Sequence, residues 1–263
     1  MERYEGKKVV IIGGTSGMGL ATAKMLLDGG ASVLVTGRSK EGLESAQKEL
    51  GNEVMVVSSD ARSLTDLDAL ASRVKAEFDT LDLLFVNAGF NIRAPLESIT
   101  EAIYDEMFNL NAKGPLFAVQ KFAPLINRGG SVVFTTSIAN VKGMAGNATY
   151  GAAKAALRSF ARTLATELVP HGIRVNAVTP GPIDTPILAK AFPAEAVAQV
   201  REKMTGMVPM QRWGTSEEIA KAVLFLAFDA RRSAATRTQS MGADACQNRS
   251  PDLSEEGSRF QGC

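Results

Sequence analysis

Cysteine is nearly absent: Cys246 and Cys263 are the only two, and both fall in the last eighteen residues. The body of the chain therefore has neither a disulfide nor a thiolate metal site. Histidine is scarcer still. His171, between Pro170 and Gly172, is the only one; it reads as a turn residue, and a zinc centre is not expected. No run of about 18 apolar residues occurs, so no membrane-spanning helix is expected. The opening Met1–Lys8, charged and followed by a short apolar stretch, does not have the form of a signal peptide. Neither sign of charge dominates, since 29 Lys+Arg against 28 Asp+Glu leave +1. No global field draws the chain to nucleic acid or to an anionic membrane. The expectation is a cytoplasmic chain that works on a small molecule, and 263 residues with 45% hydrophobic content suit one large domain.

What is present is concentrated in residues 137–154, which offer a hydroxyl, a phenol and an ammonium in order: Ser137, Tyr150 and Lys154. The alanines around Lys154 predict a helix over 149–168, and the four-residue spacing of Tyr150 and Lys154 puts both on one face. Strand residues 131–136 deliver Ser137. A free phenol has a pKa near ~10, and a neighbouring ammonium favours its ionised form. Such a pair suits proton transfer to a carbonyl oxygen, with Ser137 as a second donor to that oxygen. The same pattern is also that of an ordinary helix pair with a snorkelling lysine.

Nearer the start, residues 8–12 read as a buried strand and residues 20–27 as a helix, joined by Gly13-Gly14-Thr15-Ser16-Gly17-Met18-Gly19. Gly13, Gly17 and Gly19 would let backbone approach a pyrophosphate and aim a helix N-terminus at it. A second strand, 32–36, leads to Gly37-Arg38-Ser39, where a dinucleotide's adenosine ribose is expected and where no carboxylate stands. Arg38 with Ser39 matches a 2'-phosphate, so NADP(H) is preferred, with NAD(H) the alternative.

A third strand, 53–57, ends near Asp60, which could accept from an adenine amino group or cap the helix starting near Leu64. A fourth, 81–86, runs into Asn87-Ala88-Gly89; Asn87 could tie strands together or touch a cofactor. Helical patterns over 100–112 and 114–127 are interrupted at Lys113-Gly114-Pro115. Asn111 just before them could present its carbonyl at a kink, or end a helix turn, which the spacing favours. Residues 172–178 form a sixth strand, before a proline-stiffened loop, 179–186. Residues 187–213, methionine-bearing and weakly helical, read as a movable substrate flap; with Phe90, Met144 and Ala145 they indicate an apolar pocket. Thr215-Ser216-Glu217-Glu218 has the form of a capping box that starts a helix through Phe228.

In this order and spacing the motifs resemble the short-chain dehydrogenase/reductase family, of the classical type, over residues 5–229. The resemblance rests on the glycine turn at 13–19, Asn-Ala-Gly at 87–89, Asn111, Ser137, Tyr150 with Lys154, and Pro180-Gly181. It implies an α/β fold, a Rossmann-like doubly wound parallel sheet, and hydride transfer between a nicotinamide cofactor and a carbonyl or alcohol. It further implies Tyr150 as acid/base, Lys154 as its tuner and ribose ligand, Ser137 positioning substrate, Asn111 supporting a relay water, and Thr185 at the nicotinamide carboxamide. The implied cofactor shell comprises Gly13, Thr15, Ser16, Gly17, Met18, Gly19, Arg38, Ser39, Asp60, Ala61, Asn87, Ala88, Gly89, Tyr150, Lys154, Pro180, Gly181, Ile183 and Thr185, with no metal. The family implies a homodimer or homotetramer. Ile12 stands where relatives usually have threonine, which puts one loop hydrogen bond in question. An NAD-linked alcohol dehydrogenase and a non-catalytic dinucleotide-binding protein are the alternatives.

Residues 230–263 depart from the family's pattern. From Arg231 onward there is no valine or isoleucine, and only Met241, Leu253 and Phe260 are large and apolar. This tail reads as a disordered extension or as the product of a reading-frame change near residue 230. Either way the final strand is missing or altered, and apolar surface on residues 219–228 is expected to be exposed, with assembly impaired.

Overall fold

The computed structural model of the chain describes residues 3–186 and 194–229. Short valine-, isoleucine- and leucine-rich runs form strands because both of their faces are covered: every residue of β4 (Leu81–Val86) is buried, and so are four of the five in β1 (Lys8–Ile12). With β2 (Ser32–Gly37), β3 (Met55–Ser58), β5 (Ile126–Thr135) and β6 (Arg174–Val178) they form one sheet in the order β3-β2-β1-β4-β5-β6. All five pairings are parallel. The strand order reverses between β1 and β4, and the carboxyl ends of these two strands flank the crevice where such sheets bind ligands.

Helices cover both faces. On one, α3 (Leu64–Phe78), α5 (Gly114–Phe122) and α6 (Ala148–Leu168) bury Leu67, Leu70, Phe122 and Leu157 against Val10, Leu84 and Val132. On the other, α1 (Gly17–Leu27) and a later helix, Ser216–Leu224, bury Leu26, Val223 and Leu224 against Val9, Ile11 and Phe85. The remaining helices are α2 (Lys40–Leu50), α4 (Glu101–Phe108) and α7 (Ala194–Gly206), which makes Ser216–Leu224 α8. Among the described residues no helix is long and apolar enough to cross a membrane.

Three local expectations change. Lys113-Gly114-Pro115 does not interrupt the chain's helical course: α4 runs through a π-turn, Asn109–Lys113, into α5. Gly114 keeps helical dihedrals, and its N–H reaches back to the Asn109 carbonyl. Asn111 thus sits in a π-bulge rather than at a helix end. Its α-helical partner would be Pro115, which has no N–H to donate. Strand β5 stops at Thr135, so Ser137 lies beyond it as the cap of a 3-10 turn, Ile138–Asn140. Strands β3 and β6 each begin two residues later than expected.

The capping box at α8 forms as expected, with Thr215 Oγ1 accepting from Glu218 N and Glu218 Oε2 accepting from Thr215 N. Exposure of its apolar face does not follow: Val223, Leu224, Leu226 and Ala227 are buried, and only Phe225 stands about half out. The Arg174 guanidinium on β6 donates to the carbonyls of Leu226 and Ala227, closing the helix end onto the sheet. The tail expected at 230–263, with Cys246 and Cys263, and residues 187–193 of the expected flap lie outside the described residues.

Candidate active site

The glycine turn is shaped first by what it packs against. Gly13 has φ +85, and a Cβ there would lie 2.6 Å from the Ala88 backbone; one on Gly19 would lie 2.2 Å from the Gly13 carbonyl oxygen. Any side chain at either place would force the loop away from β4. Gly13 N and Gly14 N both donate to the Thr36 carbonyl, and Gly13 N also reaches the Thr36 hydroxyl at 3.3 Å. Ile12 brings no hydroxyl to the loop, and its carbonyl accepts from Asn87 N and Ala88 N.

Beyond the turn, Ser16 caps α1 with extended backbone but no side-chain hydrogen bond, and no acidic residue stands in the first turn. The leading N–H groups of Gly17, Met18 and Gly19 thus carry no side-chain cap at the positive end of the helix dipole, an arrangement that suits an anion. Thr185 packs beside it: a Cβ on Gly17 would meet Thr185 Cγ2 at 3.1 Å. The loop holding Thr185 is anchored where the Pro180 carbonyl accepts from Ile138 N and Ile183 bridges Gly214, and Gly181 faces open space.

A line of hydrogen bonds joins the turn to α6. Asn87 Nδ2 donates to the Gly13 carbonyl at 2.7 Å, Thr135 Oγ1 donates to Asn87 Oδ1 at 2.9 Å, and Lys154 Nζ donates to the Thr135 carbonyl at 2.8 Å. Asn87 therefore ties together β4, the turn and β5. Around Gly89 two further groups converge, since a Cβ there would sit 2.9 Å from Asn111 Oδ1 and 3.1 Å from Lys154 Nζ. Asn111 is fully buried and donates through Nδ2 to the carbonyls of Phe90 and Met107, while its Oδ1 has no protein partner. An orphan buried acceptor beside an ammonium and a glycine leaves polar capacity for a water or a ligand.

Lys154 is only 2% exposed, and burial pulls its pKa down to about 7. Its Nζ lies 5.8 Å from the centroid of the Tyr150 ring, one turn earlier on the same face. Burial pushes the Tyr150 phenol above its usual value, and a hydrogen bond with Ser137 pulls it part of the way back. The Lys154 ammonium is turned to the Thr135 carbonyl, and the causes that shift Tyr150 are its burial and Ser137.

At the other end of the crevice the groups are charged and wetter. The Arg38 side chain is 64% exposed, with Nη1 3.9 Å from Asp60 Oδ2. The Ser39 hydroxyl accepts from Gly42 N and caps α2, and Thr15 packs against Gly37. Asp60 does not cap α3; Ser63 does, accepting from Asp66 N at 3.1 Å. The Asp60 carboxylate is instead taken by Arg62, whose hydrogen bonds hold its pKa below the ordinary value. Ala61 is buried, and its carbonyl would clash with any side chain at Gly114.

A cavity of about 690 Å³ opens between residues 94–96, the 139–147 loop and the Gly151, Ala152 and Ala155 face of α6. Met144 and Ala145 line it, but Ser137, Tyr150 and Phe90 do not. The rest of the apolar pocket expected from Phe90, Met144, Ala145 and residues 187–213 includes residues 187–193, which lie outside the described residues. Of the expected flap, α7 is tied down by Arg201, which pairs with Asp184 and lies 5.0 Å over the Trp213 ring. Thr36, Thr135 and Arg62 were not singled out from the sequence. Two of them act through carbonyls as well as side chains, and no residue-type pattern marks a carbonyl.

Comparison with known proteins agrees with this geometry. A family model described as enoyl-(acyl carrier protein) reductase matches residues 13–242. An oxidoreductase, asL5, from Sarocladium schorii is 37% identical over 229 residues, spanning 86% of this chain and 90% of its own length. A 3-oxoacyl-(acyl-carrier-protein) reductase from Thermotoga maritima is 36% identical, spanning 86% and 92%. The crystal structure of a levodione reductase superposes with a TM-score of 0.82 at 32% identity, covering 88% of this chain and 94% of that one.

Proposed function

The chain belongs to the short-chain dehydrogenase/reductase family of NAD(P)-dependent oxidoreductases that interconvert CH–OH and C=O groups, and on that premise we propose a carbonyl reductase that prefers NADP(H) and works through Ser137, Tyr150, Lys154 and Asn111. A nicotinamide held by these residues would supply or accept the hydride. Tyr150 gives a proton to the carbonyl oxygen in reduction and takes it back in oxidation, and Ser137 donates a second hydrogen bond to the same oxygen as charge builds on it. Lys154 must stay charged to lower the phenol's pKa. Burial opposes that charge, so acceptors are needed around Nζ; the Thr135 carbonyl is one, and ribose hydroxyl oxygens would add others. The orphan Asn111 Oδ1 and the carbonyl facing Pro115 suit a water that returns protons to Lys154.

The observation that carries this reading is the run of hydrogen bonds from Gly13 through Asn87 and Thr135 to Lys154, which fixes the anion-binding turn relative to the proton-transfer pair. The uncapped start of α1 fits a pyrophosphate, and exposed Arg38 with the Ser39 hydroxyl fits a 2'-phosphate. A homodimer or homotetramer acting in the cytoplasm belongs to the same reading. Leu96 and Val141, both largely exposed at the rim of the cavity, suit a surface covered by a second copy.

The test is a panel of carbonyl substrates with NADPH and NADH. Turnover that vanishes in Tyr150→Phe, with tighter binding of NADPH than NADH that is lost in Arg38→Ala, supports the proposal. Cofactor binding without Tyr150-dependent turnover identifies a binding protein instead.

A further inference from the structure

Two cations and one carboxylate share the wall of the crevice beside the end of β2. Asp60 follows β3 and its carboxylate could in principle serve either neighbour. Arg62 holds it by a fork: Nε donates to Oδ1 at 3.0 Å and to Oδ2 at 3.1 Å, Nη2 donates to Oδ2 at 2.5 Å, and the Arg62 backbone N–H adds a bond to Oδ1 at 3.0 Å. Arg38 makes no hydrogen bond to Asp60 and approaches it only to 3.9 Å. The fork itself is anchored, since Arg62 Nη1 donates to Glu106 on α4. The loop under it is fixed too, with Asp66 accepting from Asp60 N at 2.9 Å. The Asp60, Arg62 and Glu106 side chains are all partly buried, at 25%, 26% and 33% exposure, whereas Arg38 stands in solvent.

We propose that Arg62 is a positioning residue for cofactor choice: by occupying the Asp60 carboxylate it leaves the Arg38 guanidinium available to a phosphate on the adenosine ribose. The inference rests on the NADP reading above and names the residue that makes it possible. Without Arg62, Asp60 would carry an uncompensated charge 3.9 Å from the Arg38 guanidinium. It would pair with that guanidinium and repel an incoming phosphate, both of which oppose NADPH and leave NADH, which has no 2'-phosphate, untouched. The bidentate geometry is what arginine offers and lysine does not.

Dissociation constants for NADPH and NADH, read by fluorescence titration of the full chain, test this without any need for turnover. In Arg62→Met, NADPH binding weakens about tenfold while NADH stays within about twofold. Removing the carboxylate as well, in Asp60→Asn/Arg62→Met, restores the NADPH preference, and Arg62→Lys gives an intermediate ratio. Equal weakening of both cofactors in Arg62→Met, with no recovery in the double variant, would mean a purely structural Arg62 and overturn the inference. An unchanged ratio in both Arg62→Met and Arg62→Lys would overturn it as well. If Arg38→Ala abolishes the preference and Arg62→Met does not, only this inference falls. If the unsubstituted chain shows no preference for NADPH, the NADP reading falls with it.

Discussion

The two ends of the crevice hold their side chains in opposite ways. At the reaction end Lys154, Asn111, Thr135 and Asn87 are buried or half-buried and fixed by hydrogen bonds between 2.7 and 3.1 Å. At the adenosine end Arg38, Asp60, Arg62 and Glu106 are ionic and partly wet, and one of them is mostly exposed. A buried hydrogen-bonded group loses heavily when its partner is removed, because water cannot replace it. An exposed ion pair loses little, because water and salt already screen it. On the proposed reading, chemistry that needs one geometry sits at the first end, and a choice between two similar cofactors is made at the second.

The contrast can be broken in order of size. Lys154→Met, at the reaction end, should lower turnover by a factor of about 10² or more, measured as kcat with saturating cofactor. The same variant bears on stability. The folded chain holds the Lys154 pKa at about 7, while the unfolded chain holds it near the ordinary lysine value of 10.5, so the unfolded state binds more protons between those limits. Unfolding free energy should rise with pH from about 7 towards about 10, and Lys154→Met should flatten that part of the slope in denaturant titrations.

Next, Thr135→Val keeps the carbonyl that holds Lys154 but leaves Asn87 Oδ1 without its donor. A loss of about 1–3 kcal/mol is expected, read from the shift in urea midpoint. Smallest, Ser39→Ala removes the cap of α2 and should cost about 1 kcal/mol, with kcat unchanged within about twofold. A larger effect on kcat from Ser39 than from Lys154 would reverse the comparison.

The same contrast explains what could be read from the sequence. Strands β1 and β4 show as mostly apolar runs, Val9–Ile12 and Leu83–Val86, and the spacing of Tyr150 and Lys154 states a shared helix face outright. The cap at Thr215 follows from its local capping-box pattern, whereas the cap of α3 is Ser63 and not the Asp60 that the sequence offers. Asn111 was harder: its π-bulge depends on Gly114 reaching back to Asn109 while Pro115 withholds a hydrogen, a balance that spacing alone read as a helix end. Thr135 contributes a carbonyl, which every residue has. Arg62 and Glu106 lie 44 positions apart and meet only through the tertiary fold. The side of α6 on which the Met144 cavity opens was equally invisible, since it depends on how the 139–147 loop folds over the helix.

The central claim is that the Tyr150 phenol passes its proton to the substrate oxygen from a position the hydrogen-bonded run fixes relative to the cofactor turn. A single-turnover measurement with cofactor already bound, comparing the unsubstituted chain with Tyr150→Phe, isolates that step. The account predicts cofactor affinity within about threefold in the two and hydride transfer slower by a factor of about 10²–10⁴ in the variant. Equal rates of hydride transfer at equal cofactor occupancy would contradict it.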